Sequence, residues 1–230
     1  MKGTYFTRYS ARVNSDHSLF NNKLTIGEHL LFTKTRRNAL TSVLDRTWAI
    51  QPIVPIHTED GKGWGGPVRG MSDRQNPIRL IEDNKQNHDD MFHLFGDMFL
   101  DLEPIKNLHL KTMFGVDYTF FWRRNMEHTY TSGYLSLDKA KVTNYDNRYG
   151  NWVWSNTLTY KFDIDDPHHF DLLGGHEMIR YYAEDLSASR QGFTSEDEDY
   201  MYLNAGEENQ LNGGSATEYA LLSFFWKDWV

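Results

Sequence analysis

Around residues 108–122 the chain alternates between two kinds of side chain. Leu108, Leu110, Phe114, Val116, Tyr118, Phe120 and Trp122 share one face, while Asn107, His109, Lys111, Asp117 and Thr119 share the other. A period of two is the signature of a β-strand with one apolar and one polar side. The same rhythm recurs at 4–13, 23–33, 91–101, 151–163, 169–182 and 219–226, which predicts about seven strands. In 151–163, Trp152, Trp154, Leu158, Tyr160 and Phe162 alternate with Val153, Ser155, Thr157, Thr159 and Lys161; in 23–33, Glu28 interrupts the face of Leu24, Ile26, Leu30 and Phe32.

The connections fall into two classes. NSDHSLFNN, LEPIKN and IDDPH are short, whereas 34–90, 123–150 and 183–217 are long and rich in polar residues, Gly and Pro. A short helix is expected within 39–50, because Pro52 and Pro55 stop anything longer. Short and long connections in strict alternation belong to an antiparallel meander whose turns lie at one end and whose loops lie at the other. That is the plan of bacterial outer-membrane barrels. The predicted fold is therefore all-β: about seven strands forming part of a transmembrane β-barrel, with long extracellular loops. Lys111, Asp117, Thr157 and Lys161 then face the lumen, and Leu110, Phe114, Val116 and Leu158 face lipid. A Lys turned toward hydrocarbon at the midplane would cost roughly 2–4 kcal/mol.

Composition leaves this picture standing. The 230 residues are hydrophilic on average, and no apolar run approaches the roughly twenty residues of a membrane helix, so strands are the only route across a bilayer. The net charge of -8 argues against a nucleic-acid partner, since Arg36-Arg37 and Arg123-Arg124 are only local basic pairs. With no cysteine, disulfides, thiol catalysis and thiolate metal sites are removed together. Met1-Lys2 leads directly into TYFTRYSARV and not into an apolar leader. For a barrel, the expectation is that the front of the protein is missing.

Several phrases, in order, resemble pieces of SusC/RagA-type TonB-linked outer-membrane transporters. They are NNKLTIGEHLLFT, QPIVPI followed by GGPV and NPI, LEPIKNLHLKTMFGVDYT, NWVWSNTLTY, and HFDLLGGHEMIRYY followed by ALLSFF. The resemblance covers most of the chain. It implies a barrel that imports glycans or peptides, works with a SusD-like surface lipoprotein, and is driven by TonB through an N-terminal plug. The plug and the rest of the barrel have no counterpart here, so residues 1–230 are expected to be a partial barrel domain.

Candidate chemistry is sparse. Glu59-Asp60, Asp89-Asp90 and Asp165-Asp166 are neighbours in sequence, whereas a glycosidase needs carboxylates facing each other across a substrate. His168 and His169 alternate across a strand and, with His176, do not form a metal-binding spacing. The EDED run from Glu196 to Asp199 lacks the spaced ligands of a calcium loop, and EDGKGWGGPVRG lacks the ending of a phosphate loop. No catalytic residue, metal or cofactor is expected. Trp48, Trp64, Tyr130, Tyr134 and Tyr145, expected in the long loops, are either stacking platforms for a sugar or packing between loops. Two rival readings remain open. A soluble β-sandwich carbohydrate-binding module would cover Leu110, Phe114 and Leu158 with a second sheet. A glycoside-processing enzyme would bring two carboxylates into one cleft.

Overall fold

The computed structural model describes residues 4–38, 43–71, 73–164 and 168–229, the side chains of His168 and Trp229 excepted. The acid pair Asp165-Asp166, the middle of the IDDPH turn and residues 39–42 of the expected helix lie outside the described residues.

Seven long strands make one antiparallel sheet in sequence order. They are β1 (Phe6–Leu19), β2 (Leu24–Asn38), β3 (His88–Ile105) and β4 (Leu108–Glu127), then, after the small hairpin β5 (Tyr130–Ser132) and β6 (Leu135–Leu137), β7 (Lys141–Ile164), β8 (His168–Gln191) and β9 (Glu208–Trp229). The predicted meander is present, with longer strands than the alternation marked out. Segment 14–19, expected in a connection, pairs with β2, so the first turn is only 20–23. There Phe20, Asn21 and Asn22 take φ values of 53°, 57° and 67°, a left-handed run that Asn tolerates through its short polar side chain. Asn107, at φ 65°, reverses the chain between β3 and β4.

The three expected long loops also shrink, because β2, β4 and β8 run further and β3, β7 and β9 begin earlier. At about 3.3 Å per residue, the 24 residues of β7 or β8 extend roughly 80 Å, whereas a membrane crossing uses about 9–11 residues. Beyond the apolar band both faces are polar, so these extensions lack the alternation that marks a half-buried strand. Within 43–87, α1 (Leu44–Ala49) is shorter than the expected helix. RQNPI, expected as loop, opens α2 (Pro77–Asp83): the Asn76 side chain accepts from the amides of Ile78 (3.0 Å) and Arg79 (3.3 Å), and Pro77 stands in the first turn.

Register sorts most side chains by face, although Arg180 and Glu218 pair on the same face as Val116. One face carries Leu102, Leu110, Leu158 and Trp226 in one row, and Met98, Phe114, Trp154, Met178 and Leu222 two rows on. Between them runs a row containing Thr112, Asn156 and His176. These polar groups turn to their neighbours: Trp154 Nε1 donates to Thr112 Oγ1 (3.0 Å), and the Asn156 amide lies 3.2 Å from His176 Nε2. The opposite face holds glycines covered by rings. Phe99 lies over Gly27 and Phe225 over Gly175, each where a Cβ would collide. On the apolar face, Gly150 likewise meets the Asp117 carbonyl and the Tyr118 ring. Aromatic cover of strand glycines pins register and restores lost contact area.

Among the described residues, buried apolar side chains amount to Pro67, Val43, Met126, Ala140, Val142 and Met201. The last four form a small cluster at the loop end, with Phe193 and Leu203 packed against it. Among the described residues nothing covers the apolar face of the sheet: Leu110, Phe114 and Leu158 are 42%, 48% and 45% exposed. A β-sandwich would have buried them, so the described structure does not favour that alternative.

Gly150→Val drives a side chain into the Asp117 carbonyl and the Tyr118 ring. Overpacking of this kind costs about 1–3 kcal/mol. The expected result is a lower unfolding midpoint in detergent, followed by circular dichroism; an unchanged midpoint would contradict this packing.

Candidate functional site

The polar face of the sheet is laced by polar contacts that cross from strand to strand. His29 lies 3.2 Å from Asp97 and 4.0 Å from Asp16, His93 lies 2.7 Å from Asp117, His109 lies 3.1 Å from Asp101, and Lys161 lies 3.1 Å from Asp171. Lys111 sits over the Phe99 ring at 4.7 Å and pairs in register with Thr157. Lys111, Asp117, Thr157 and Lys161 therefore share this face, and Leu110, Phe114, Val116 and Leu158 share the other.

Toward the loop end the polar face carries a denser group. Arg37, Asp89, Arg123 and Tyr145 stand side by side on β2, β3, β4 and β7. The Asp89 side chain is only 3% exposed and takes Arg123 through Nε (2.6 Å) and Nη2 (2.9 Å), and Arg37 through Nε (3.1 Å). Asp90 points the other way, to a two-pronged pair with Arg36 at 2.8 Å. The two acids thus serve opposite faces and do not converge as a catalytic pair. Arg37, Asp89 and Arg123 all fall in segments expected to be loop. The matched doublets Arg36-Arg37, Asp89-Asp90 and Arg123-Arg124 were the available signal, since complementary charges on adjacent strands stabilise a register.

The five loop aromatics have different settings. Trp64 stacks on His57 at 4.8 Å and bridges by backbone to Ser132, whose hydroxyl donates to the Gly65 carbonyl (2.8 Å). Tyr130 lies 3.5 Å beneath the Arg79 guanidinium and accepts from Gln75 (3.2 Å). These two hold the 43–87 segment against the β5–β6 hairpin. Tyr134 is half exposed on that hairpin, and Trp48 on α1 is 89% exposed. Tyr145 is a strand residue of β7, edge-on to Phe121 at 6.0 Å. No ring contact joins any two of the five among the described residues.

Residues 43–87, the β5–β6 hairpin and the connection between β8 and β9 form a cap at the loop end, tied down by polar contacts. Asn87 exchanges hydrogen bonds with the backbone of Met126, receiving from its amide (2.7 Å) and donating to its carbonyl (3.1 Å). Asn38 donates to the carbonyls of Asn84 (2.7 Å) and Asn87 (3.0 Å). Arg79, 3% exposed, donates to Asp83 (2.9 Å) and Gln75 (2.9 Å). Asp83 also holds His128 at 3.2 Å, just past β4. Glu196, from the acidic run, accepts from the Thr129 amide (2.8 Å) and hydroxyl (2.6 Å). Among the described residues no three His, Asp or Glu side chains converge as metal ligands.

No family model and no curated protein matches the chain. Among solved structures it is similar to the RagAB peptide transporter, with a TM-score of 0.78 and 23% identity over 98% of this chain and 26% of that one. The RagAB peptide importer in its open-open and closed-closed states gives a TM-score of 0.76 and 24% identity in each case, with the same coverage. At this identity the likeness establishes the fold. The chain spans about a quarter of the length of those chains, 26%. These similar structures are transporters, not enzymes.

The hydrogen bond that His128 donates to Asp83 raises the pKa of His128 from the ordinary 6.5, against the opposing effect of burial, with Glu196 adding to the rise. A raised imidazole value means that this tether contributes fully below pH 6.5 and fades as pH climbs through the raised value. Amide exchange across 77–87 is expected to quicken on the alkaline side, and His128→Gln to remove that dependence. Exchange independent of pH, after correction for the intrinsic rate, would contradict the tether.

Proposed function

We propose that this chain is a section of the wall of an outer-membrane nutrient transporter, with lipid against one face and an aqueous lumen against the other. The carrying observation is the open apolar surface of Leu110, Phe114, Val116 and Leu158, backed on the same strands by Lys111, Asp117, Thr157 and Lys161. In water such a surface would be an aggregation liability; against hydrocarbon it is at home. Charged pairs on the apolar side, Arg36 with Asp90 and Arg148 with Glu184, support an upper limit to the hydrocarbon zone. The unpaired outer edges of β1 and β9 support completion of the sheet by further strands, since exposed edges of this length recruit other chains.

The whole transporter would import oligosaccharides or peptides, with the loop cap receiving substrate above the lumen. The exposed aromatics Trp48 and Tyr134 are available there for stacking. A SusD-like lipoprotein would close the entrance, and TonB would act through a plug domain. The likeness to the RagAB peptide transporter supports this reading. No covalent chemistry is assigned to this section and no cofactor is required.

The test is folding in two solvents. The chain is expected to reach a cooperative, protease-resistant strand state in detergent micelles and to aggregate in plain buffer; a monomeric, cooperative state in buffer would overturn the membrane reading. Phe114→Arg is expected to cost about 2–4 kcal/mol in lipid, while Thr157→Lys on the lumen side costs little. Equal losses, measured by denaturant titration in liposomes, would contradict the assignment of faces.

A further inference from the structure

A pocket of about 480 Å³ opens on the polar face at the loop end, lined by Phe6, Arg8, Arg37, Asp89, Phe121 and Tyr149 among others. Its register fixes three rows. Phe6, Arg37, Asp89 and Arg123 form one, Arg8, Thr35, Met91 and Phe121 the next, and Ser10, Thr33, His93 and Thr119 the third. Arg37 and Arg123 both bond to a single buried carboxylate, Asp89, and Arg8 stands one row on, in a chain whose net charge is -8. Arg123 is committed to Asp89 by two hydrogen bonds. Arg37 reaches Asp89 through Nε alone, and its terminal nitrogens bond to no described residue. Arg8 donates only to Ser10 (3.1 Å) and has no acidic partner among the described residues. The nearby acid Asp117 is held by His93. The pocket therefore has surplus positive charge, flanked by the rings of Phe6, Phe121 and Tyr149.

We propose that this pocket is a carboxylate subsite: Arg8 and Arg37 grip a substrate carboxylate while the neighbouring rings receive the apolar group or sugar face attached to it. A guanidinium presents two parallel N–H donors that match a carboxylate, and a half-enclosed site screens that attraction less than bulk water does. Asp89 has a defined part here. It holds Arg37 and Arg123 in place from beneath, and because Arg123 neutralises it, Arg37 keeps its charge for a ligand. The subsite rests on the reading of this face as the lumen wall, and it narrows the substrate class to acidic molecules, either peptides with a free terminus or uronate-bearing sugars.

The experiment is calorimetric titration of the intact membrane protein carrying this chain, purified in detergent. The probes are a short peptide ending in Phe as its free acid and as its amide, and a uronate-terminated disaccharide with its neutral counterpart. In at least one pair the acid is expected to bind about tenfold or more tightly than its neutral partner. Arg8→Gln and Arg37→Gln are each expected to shrink that gap, and added salt to weaken the acid alone. Arg8→Gln breaks no ion pair of the described fold, so loss of folding does not confound it. A preference confined to the peptide or to the sugar identifies the source of the carboxylate and supports the subsite. Equal binding of acid and neutral partner in both pairs, a gap that survives both substitutions, or no binding of any probe overturns it. A protein that needs the membrane to fold but ignores the carboxylate overturns the subsite alone; one that folds cooperatively in plain buffer overturns the lumen reading beneath it.

Discussion

The pleat of a β-strand sends consecutive side chains to opposite faces, so a single sheet with nothing stacked on it must satisfy two surroundings at once. Everything else in this structure follows from that demand. The backbone polar groups are consumed by the ladder between neighbouring strands, which continues through twenty paired positions from β4 to β7 and twenty-four from β7 to β8. The side chains are left to match the medium on either side. Among the described residues the apolar rows meet no second protein layer, and the polar side chains opposite them pair with one another. With so few buried apolar residues, the ladder carries much of the fold, and under the proposed membrane setting the apolar medium would carry the rest.

This division explains which parts of the fold were legible in the sequence. Between 108 and 122, or 151 and 163, one face is apolar and the other polar, and alternation gives away both strand and face. Higher up, Arg148 pairs with Glu184 on one face while Tyr145 and Asn147 occupy the other. With polar groups on both sides the period of two vanishes, and the composition reads as loop. The inner basic pocket falls in that zone. Arg37, Arg123 and Asp89 were visible only as charge doublets, while Arg8 stood alone in the alternating segment 4–13, and an acid doublet read alone suggests a catalytic pair until the register separates its members. The helix α2 was missed although Asn76-Pro77 is a helix-opening pair, because a seven-residue helix has no room to develop an apolar period.

The exceptions to the two-faced rule are instructive because they are partly compensated by local contacts, although His176 Nδ1 has no hydrogen-bond partner among the described residues. Thr112, Asn156 and His176 stand in the apolar face, and there the Trp154 indole and the Asn156 amide turn to polar neighbours in place of water. Glu28 interrupts the same face and accepts from Ser15 at 2.6 Å. An unpaired polar group in an apolar medium costs several kcal/mol, so such contacts lower the penalty without abolishing it. The cap follows a different rule. There Asn38, Asn87, Arg79 and Asp83 hold chain segments of irregular path against the strand ends, as polar side chains do where backbone groups lack ladder partners.

Because the chain has no cysteine, single cysteines can be placed one at a time along 110–117 and spin-labelled in liposomes. Relaxation by oxygen, which concentrates in hydrocarbon, and by a water-soluble nickel complex then reports the medium at each position. Positions 110, 114 and 116 are expected to respond to oxygen, and 111, 113 and 117 to nickel, in strict alternation. Uniform access to nickel on both faces, or protection from both reagents on the apolar one, would contradict a sheet standing between lipid and water.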